Sequence, residues 1–296
     1  MAPRSRLQPV LPLVLLTAVG LLSCSSTPSP GPGDATTNAG PQNVAPARSD
    51  AMDSTDYAEV LRRFVNDSGG VDYAGLQADR DALDRYVAAL GTVPPSRFDA
   101  WPEPEQIAFL INAYNAFTLV SIVDRYPVKS IRDIPGVWRL RRFDLAGRRL
   151  TLDAIEHQIL RRDYNEPRIH MAVNCASIGC PVLRQEPFTG KRLDEQLEDQ
   201  VRRMVRDPNQ FRIDRPGGNV HISSVFDWFG KDFIPSFAPE RPPGNLSDKQ
   251  AASVTFLARY LPEDDRRHLE SGDYTLRYLD WDWGLNTAAA LPAGSP

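Results

Sequence analysis

The chain has 296 residues, and its 38 acidic side chains outnumber its 34 basic ones, which gives a net charge of −4. This mild acidity argues against nucleic acid as the partner, because nucleic-acid-binding domains carry concentrated positive charge. The sequence also has no internal repeat and no glycine-rich phosphate loop.

The first 23 residues have the pattern of a secretory signal peptide. Arg4 and Arg6 give a positive start, an apolar run follows, and the small Ser23 precedes Cys24. The apolar run is too short to cross a bilayer comfortably, so a permanent membrane helix is the weaker interpretation. Removal of residues 1–23 takes away two basic residues and no acidic one, which leaves a net charge near −6.

Residues 21–24, Leu-Leu-Ser-Cys, resemble the bacterial lipobox, in which the cysteine becomes the lipidated mature N-terminus. The alternative is an ordinary signal peptide that happens to contain a cysteine. Residues 24–52 are rich in Ser, Thr, Pro, Gly and Ala, and such a segment predicts a flexible tether. We therefore expect a membrane-anchored protein of the cell envelope, attached through a lipid on Cys24. It would lie on the periplasmic face of an outer membrane or on the extracellular side.

Residues 53–286 predict one globular domain, and residues 287–296 predict a disordered tail. Apolar residues at helical spacing predict helices over residues 57–64, 80–90, 105–126, 153–162, 193–205 and 249–260. Alternation and turn residues predict strands in a hairpin over 142–150 and over 168–174, 211–213, 220–222 and 274–279. The third helix is apolar on nearly all sides, which is typical of a central, buried helix.

Asp153 and Glu156 resemble a capping pair at the start of the fourth helix. We expect an α+β fold, with helices around this buried helix and a small, mainly antiparallel sheet.

The most informative stretch is the loop after the predicted strand 168–174, which holds Cys175, Ser177 and Cys180. Once Cys24 is lipidated, Cys175 and Cys180 are the only thiols of the mature protein. One interpretation is a disulfide, because the envelope is oxidising and four intervening residues can close such a ring. Its stabilising effect would be modest, since a short loop loses little entropy on closure.

A second interpretation is a nucleophilic thiol at Cys175. A cysteine nucleophile needs a lowered pKa, commonly from a neighbouring histidine or a helix N-terminus. His157 and His170 are the candidate bases, and Glu156 or Asp227 could orient the imidazole. A regular strand would place His170 and Cys175 on opposite faces, so they meet only if the chain turns at the intervening residue 174, or the base is His157.

A third interpretation is a zinc site formed by Cys175, Cys180, His157 and His170. These residue types are suitable ligands, but two cysteines separated by four residues with scattered histidines lack a standard zinc spacing. We therefore predict no bound metal and no cofactor.

Two asparagines, Asn112 and Asn115, lie three residues apart on one face of the predicted buried helix. Burial of their amides without partners would cost on the order of 1–3 kcal/mol each, so they must form hydrogen bonds, most simply to a loop backbone. We expect them to shape a substrate site without reacting, together with Ser177 and Trp228. The aromatic residues that flank Trp228 are more typical of core packing.

These stretches together resemble one known family. The motifs, in order, are FLINAYNA at 109–116, IEH at 155–157 with LR at 160–161, RIH at 168–170, CAS at 175–177, CP at 180–181, FDWF at 226–229, DF at 232–233 and YLDWDWGLN at 278–286. They resemble the domain-of-unknown-function 547 (DUF547) family, whose members include bacterial secreted or lipid-anchored proteins. The resemblance implies a fold and a set of shared positions, but no reaction.

The layout is similar, more loosely, to papain- and transglutaminase-like cysteine enzymes. Those enzymes place the cysteine first, on the buried helix, whereas this sequence has Asn112 and Asn115 there and the histidines precede Cys175. This departure argues against a direct transfer of their mechanism.

The leading prediction is a thiol-dependent hydrolase or acyl transferase that acts on peptide or amide bonds. Cys175 would be the nucleophile, and backbone N–H groups around Ala176 and Ser177 would stabilise the oxyanion. The alternative is a non-catalytic binding module in which Cys175 and Cys180 form a disulfide. In that case the aromatic segments near Trp228 and Trp281 would receive a peptide or an envelope protein.

Overall fold

The computed structural model describes residues 51–293. The predicted signal peptide, the predicted lipid anchor at Cys24 and the tether as far as residue 50 lie outside the described residues, as do residues 294–296. The α-helices of the described part are α1 Thr55–Phe64, α2 Tyr73–Ala78, α3 Asp81–Thr92, α4 Pro95–Asp99, α5 Glu103–Val123, α6 Arg161–Asp163, α7 Leu193–Arg206, α8 Val225–Phe229, α9 Ile234–Phe237, α10 Asp248–Ala258 and α11 Glu263–Ser271.

The strands of the described part form two small sheets. They are β1 Phe143–Leu145, β2 Arg148–Leu150, β3 Phe211–Asp214, β4 Asn219–Ile222 and β5 Thr275–Tyr278. β1 and β2 form an antiparallel hairpin, while β3, β4 and β5 form a sheet in which β4 pairs antiparallel with β3 and parallel with β5. The predicted α+β class with a small, mainly antiparallel sheet is therefore confirmed.

The central helix α5 is buried along nearly its whole length. Every residue of α5 from Ile107 to Val123 is buried, including the polar Asn112, Asn115, Thr118 and Ser121. α5 is long and apolar enough to cross a membrane, but 94% of its apolar window is covered by the rest of the fold. Apolar residues all around a helix thus indicate here the centre of a folded core.

The predicted hairpin is formed by β1 and β2, and its turn consists of Ala146 and Gly147. Ala146 and Gly147 both have positive φ angles, of 47° and 70°. Two-residue turns of this kind suit the right-handed twist of paired strands, and glycine adopts them without steric cost. The Ala146 N–H donates to the carbonyl of Leu90 in α3, and this bond joins the hairpin to the helical core.

The segment predicted as a strand over 168–174 is instead a 3-10 helix, Pro167–Met171. Pro167 occupies the first turn, where its missing N–H costs no hydrogen bond. The Glu166 side chain accepts the Arg168 N–H and so caps the start of this helix. Ile169, His170 and Met171 are all buried, because Ile169 packs in the core around α5 and Met171 in the core around α10. Burial on every side removes the two-faced pattern that a strand would require.

The predicted helix over 153–162 exists, but its centre is a π-helix, Ala154–Leu160, which continues into α6. The predicted capping pair does not form, since Asp153 makes no side-chain cap bond. The Thr151 hydroxyl accepts the Ala154 N–H instead, and this bond caps the first turn.

The described part of the chain after residue 286 forms hydrogen bonds with the rest of the domain. Ala288 N–H donates to the Val71 carbonyl, and the Asn66 side chain donates to the Leu291 carbonyl at 2.6 Å. The predicted tail therefore begins with a segment that is bonded to the loop between α1 and α2.

Candidate functional site

A cavity of about 540 Å³ lies where the 3-10 helix Pro167–Met171, the π-helix Ala154–Leu160 and the segment after β5 meet. Its aromatic lining includes Trp138, Trp228, Trp281, Trp283 and Phe229, and its polar lining includes Asp153, Glu156, His157, His170, Cys175 and Cys180. The cavity thus brings together most of the residues that the sequence predicted for a site. Asp227, Asn112, Asn115 and Ser177 are not among the lining residues.

The two cysteines lie side by side, and the structure has both as free cysteines. The Sγ atoms of Cys175 and Cys180 are 2.9 Å apart, and the Ser177 hydroxyl is 3.3 Å from the first sulfur and 3.2 Å from the second. Cys175 is half-buried, whereas Cys180 is 8% exposed. Both residues line the cavity, and Cys175 is the more exposed of the two.

A tight loop holds the two thiols together. The Asn174 side chain accepts the Ala176 N–H and donates to the Pro181 carbonyl, both at 2.8 Å. Ala176 has a φ of 61°, an uncommon left-handed conformation for a residue with a side chain. Ile178 N–H then donates to the Gly284 carbonyl at 2.8 Å. The loop that carries the thiols is thus fixed on both sides.

Asn115 fastens this loop to the central helix. Its Oδ1 accepts the Asn174 N–H at 2.8 Å, and its Nδ2 donates to the Ala172 carbonyl at 3.0 Å. Asn112 does the same for a neighbouring loop, with bonds to the N–H and the carbonyl of Phe188. Both amides are 3% exposed, so they shape the surroundings of the cavity from beneath and do not face a substrate.

The predicted oxyanion donors are already engaged. The Ala176 N–H donates to the Asn174 side chain at 2.8 Å, and the Ser177 N–H donates to the sulfur of Cys180, as the Cys175 N–H does at 3.1 Å. A backbone N–H that already has an internal acceptor is not available to a reacting carbonyl oxygen. The loop N–H groups therefore serve the sulfur of Cys180 and the shape of the loop.

The surroundings separate the two thiols in acidity. The hydrogen bond to Cys180 is the largest contribution that raises the pKa of Cys175 well above the ordinary value of a cysteine, and burial adds to it. Burial alone would also raise the pKa of Cys180, but hydrogen bonds from Cys175 and Ser177 outweigh burial and lower that pKa. These opposite shifts favour the negative charge on Cys180 and the proton on Cys175.

His170 is oriented by an acid that the sequence analysis did not assign. Its Nε2 lies 2.8 Å from Asp232 Oδ2, and its ring stacks on Phe229 with centroids 4.3 Å apart. Nε2 faces a carboxylate, which can only accept, so Nε2 carries a proton; in the neutral ring the lone pair is then on Nδ1. Nδ1 is buried and has no hydrogen-bond partner in the described part of the chain.

Asp232 has a second partner, Arg161, whose guanidinium binds it with two hydrogen bonds of 2.6 and 3.0 Å. Burial would raise the pKa of Asp232, but the hydrogen bonds from His170 and Arg161 outweigh it and hold that pKa far below its ordinary value of 3.8. Asp232 is therefore a permanent anion that fixes the imidazole of His170.

This ion pair predicts how stability depends on acid. The folded-state pKa of Asp232 lies below its ordinary value, so its contribution is complete above pH 3.8 and is lost as the pH falls towards the folded-state pKa. Asp232→Asn lacks this contribution. We therefore expect the difference in free energy of unfolding between the wild type and Asp232→Asn to shrink by roughly 1–2 kcal/mol in acid. Urea unfolding at neutral and acidic pH measures this difference. A difference that stays constant with pH would contradict the assignment.

His157 is less suited to act as a base. The Arg161 guanidinium donates to its Nδ1 at 3.0 Å, and Asp153 lies 3.8 Å from its Nε2. Glu156 lies 3.9 Å from the same Nδ1, is 8% exposed, and accepts a hydrogen bond from the Tyr114 hydroxyl. Nδ1 of His157 is thus engaged by a guanidinium that donates to it, whereas Nδ1 of His170 has no hydrogen-bond partner within residues 51–293.

Asp227 does not orient either histidine. Its carboxylate is exposed and lies 2.8 Å from the Nζ of Lys249. Asp232, five residues further along, is the acid that reaches His170. Asp232 is visible in the sequence as a second acid in the same aromatic segment. The sequence spacing alone does not show which of the two acids, Asp227 or Asp232, reaches a histidine.

The tryptophans form a continuous aromatic surface at the cavity. The ring centroids of Trp228 and Trp281 are 4.8 Å apart, those of Trp228 and Trp283 are 6.0 Å apart, and Trp228 is 45% exposed. The indole N–H of Trp281 donates to the Ser177 hydroxyl at 2.9 Å. Trp138 and Trp283 were not singled out by the sequence analysis.

Within residues 51–293, no three His, Cys, Asp or Glu side chains are placed so that they could hold one metal ion together. The zinc ligand set considered from the sequence therefore does not assemble in the described part.

Comparison with known proteins gives one match. Residues 98–205 match the model of a family described as "Protein of unknown function, DUF547". The matched part contains α5, His170 and both thiols of the loop, whereas Asp232 and the cavity tryptophans Trp228, Trp281 and Trp283 lie after it. No curated protein and no solved structure matches the chain.

Proposed function

We propose that the protein is a thiol-dependent hydrolase or acyl transferase. The proposal is based on the chemistry of the cavity, because the family matched by residues 98–205 is described without a function. One observation carries this proposal. The same cavity is lined by the half-buried thiol of Cys175 and by His170, whose Nε2 is bonded to Asp232 and whose Nδ1 has no hydrogen-bond partner within residues 51–293. A thiol and an oriented imidazole are the groups that covalent acyl transfer requires.

The roles follow from these positions. The sulfur of Cys175 attacks the carbonyl carbon of an amide or ester, and a thioester forms as the leaving group departs. The proton released by Cys175 ends on the leaving group. In the second half, His170 Nδ1 takes a proton from a water molecule or another acceptor that attacks the thioester, and Cys175 then recovers its proton. Asp232 and Phe229 hold the ring throughout.

The lining of the cavity supports a peptide or amide substrate with apolar groups beside the scissile bond, since indole faces provide large apolar contact areas. We further propose that the domain works in the cell envelope, anchored through a lipid on Cys24. The residues that support this location are the signal pattern of residues 1–23 and the tether that follows.

A second candidate function is a binding module for a peptide or an envelope protein. It is favoured by the exposed indole of Trp228, which joins Trp281 and Trp283 in one aromatic surface at the protein exterior. Exposed tryptophans of this kind are common anchors in interfaces. In this case the thiols would stabilise the loop and would not react.

The two candidates differ in their reaction with a simple acyl donor, p-nitrophenyl acetate. For the reduced protein, we expect release of nitrophenolate together with one acetyl group on Cys175, found by peptide mass mapping, and loss of that group on further incubation. Acetylation that avoids Cys175 and is spread over surface lysines would refute the enzyme and favour the binding module.

A further inference from the structure

The nucleophile proposed above has no histidine within hydrogen-bond distance. Within residues 51–293, the hydrogen-bond partners of the Cys175 sulfur are Cys180 Sγ at 2.9 Å and Ser177 Oγ at 3.3 Å. His170 Nδ1, although it belongs to the same cavity, makes no hydrogen bond. The group in position to receive the proton of Cys175 is therefore the second thiol.

The hydrogen bonds around the sulfur of Cys180 have defined donors. An indole N–H can only donate, so the Ser177 hydroxyl accepts from Trp281 and keeps a single proton of its own. That proton has two acceptors within reach, the sulfurs of Cys180 at 3.2 Å and of Cys175 at 3.3 Å. The Cys175 N–H donates to Cys180 Sγ at 3.1 Å. Donors thus converge on the sulfur of Cys180, and such a site stabilises a thiolate.

The two thiols also differ in what faces them. Glu156 lies close enough to Cys175 for its negative charge to disfavour a thiolate there. Both cysteines line the cavity, and Cys175 is the more exposed of the two, since Cys180 is only 8% exposed. This arrangement separates the two functions of a reactive thiol, because one sulfur can hold the charge while the other contacts the substrate.

We propose that Cys180 is a second catalytic group, whose sulfur holds the negative charge at rest and accepts the proton of Cys175 as Cys175 attacks. The inference rests on the proposed function, since it takes Cys175 as the nucleophile. It adds a base that lies 2.9 Å from the reacting atom.

The step balances without an outside reagent. The S–H bond of Cys175 breaks and an S–H bond forms on Cys180, while the sulfur of Cys175 bonds to the carbonyl carbon and the carbonyl oxygen becomes the oxyanion. When the intermediate collapses, the proton passes from Cys180 to the leaving group. Cys180 is then a thiolate again, and the charge of the pair is the same before and after.

The test is the pH dependence with which iodoacetamide alkylates Cys175 in the reduced, full-length protein, followed by peptide mass mapping from about pH 5 to about pH 10. In the wild type we expect a midpoint below the ordinary cysteine value of about 8.5. Cys180→Ser keeps a small polar group but cannot hold the charge. We therefore expect its midpoint to rise by at least about one pH unit, with alkylation at neutral pH about tenfold slower. A midpoint in Cys180→Ser equal to that of the wild type would overturn the proposal.

A matched variant protects the test against misfolding. Ser177→Ala leaves both thiols in place and removes one donor, so its midpoint should also rise, by less than in Cys180→Ser. Thermal melts identify a variant that has lost its fold. If Cys180→Ser does not fold, Ser177→Ala decides alone, and an unchanged or lowered midpoint in it overturns the proposal.

The result can be separated from a failure of the proposed function. If p-nitrophenyl acetate acetylates Cys175 in both the wild type and Cys180→Ser with the same pH profile, Cys175 is the nucleophile and Cys180 is not its base. If the alkylation midpoints shift as expected but Cys175 is never acetylated, the enzyme proposal fails and the role of Cys180 as a catalytic base fails with it.

Discussion

Replacement of Cys175 by serine is expected to slow the acetylation of the protein by p-nitrophenyl acetate by on the order of 10³-fold or more. A serine hydroxyl does not ionise in the physiological range, and Cys180 cannot readily remove its proton. The rate of nitrophenolate release and the mass of the acetylated protein measure this effect. Because Cys175 is only half-buried and its sulfur touches two small polar partners, the fold should tolerate the change.

The control for this experiment is the thermal melt of Cys175→Ser, which should stay close to that of the wild type. A folded Cys175→Ser protein that keeps the wild-type rate within a few-fold would show that the nucleophile lies elsewhere. The binding module would then become the better account of the cavity.

Replacement of Asp232 by asparagine is expected to slow the loss of the acetyl group by on the order of 10²–10⁴-fold, once Cys175 has been acetylated. Asp232 accepts the Nε2 proton of His170, and this bond keeps the lone pair on Nδ1. An asparagine can present its NH₂ group to the ring, which moves the proton to Nδ1 and removes the base from the cavity. Single-turnover decay of the acetylated protein measures the effect.

Asp227→Asn is the matched control. It makes the same chemical change in the same aromatic segment, but at an exposed carboxylate that pairs with Lys249, so the decay should change less than about twofold. Asp232 is a positioning residue, and a purely structural role would leave the pH profile of the decay unmoved. We expect the midpoint of that profile to move in Asp232→Asn and to stay in Asp227→Asn. Equal effects of the two variants would contradict the assignment of Asp232.

The central helix could be predicted because its signal is local. A stretch that is apolar on all sides must be covered on all sides, and the two asparagines within it must be bonded, as Asn112 and Asn115 are. The hairpin around Ala146 was predictable for the same reason, since a two-residue turn is encoded by the turn residues themselves.

The 3-10 helix that carries His170 could not be predicted from a local signal. Ile169 and Met171 are buried in different parts of the core, and the alternation of residues in a sequence does not reveal how many surfaces a segment contacts. The choice between Asp227 and Asp232 was also non-local. It depends on Arg161, more than sixty residues earlier in the chain, which lies beside Asp232 and binds it.

The parallel pairing of β5 with β4 is a further long-range feature, because the two strands are separated by α8, α9, α10 and α11. A short apolar run indicates a strand, but the direction of its neighbour is set by how the intervening helices pack. The class of the fold was therefore within reach of the sequence, while the arrangement of the sheet was not.

Four of the five tryptophans of the chain line the cavity. The ring centroid of each lies within 6.2 Å of that of at least one other, close enough for excitation energy to pass between them, and Trp228 is 45% exposed. The intrinsic fluorescence of the protein therefore originates largely at the place where a ligand would sit. A molecule that enters the cavity displaces water from these rings and changes the colour and intensity of the emission. Candidate ligands can thus be screened optically, without a label and before any reaction is known.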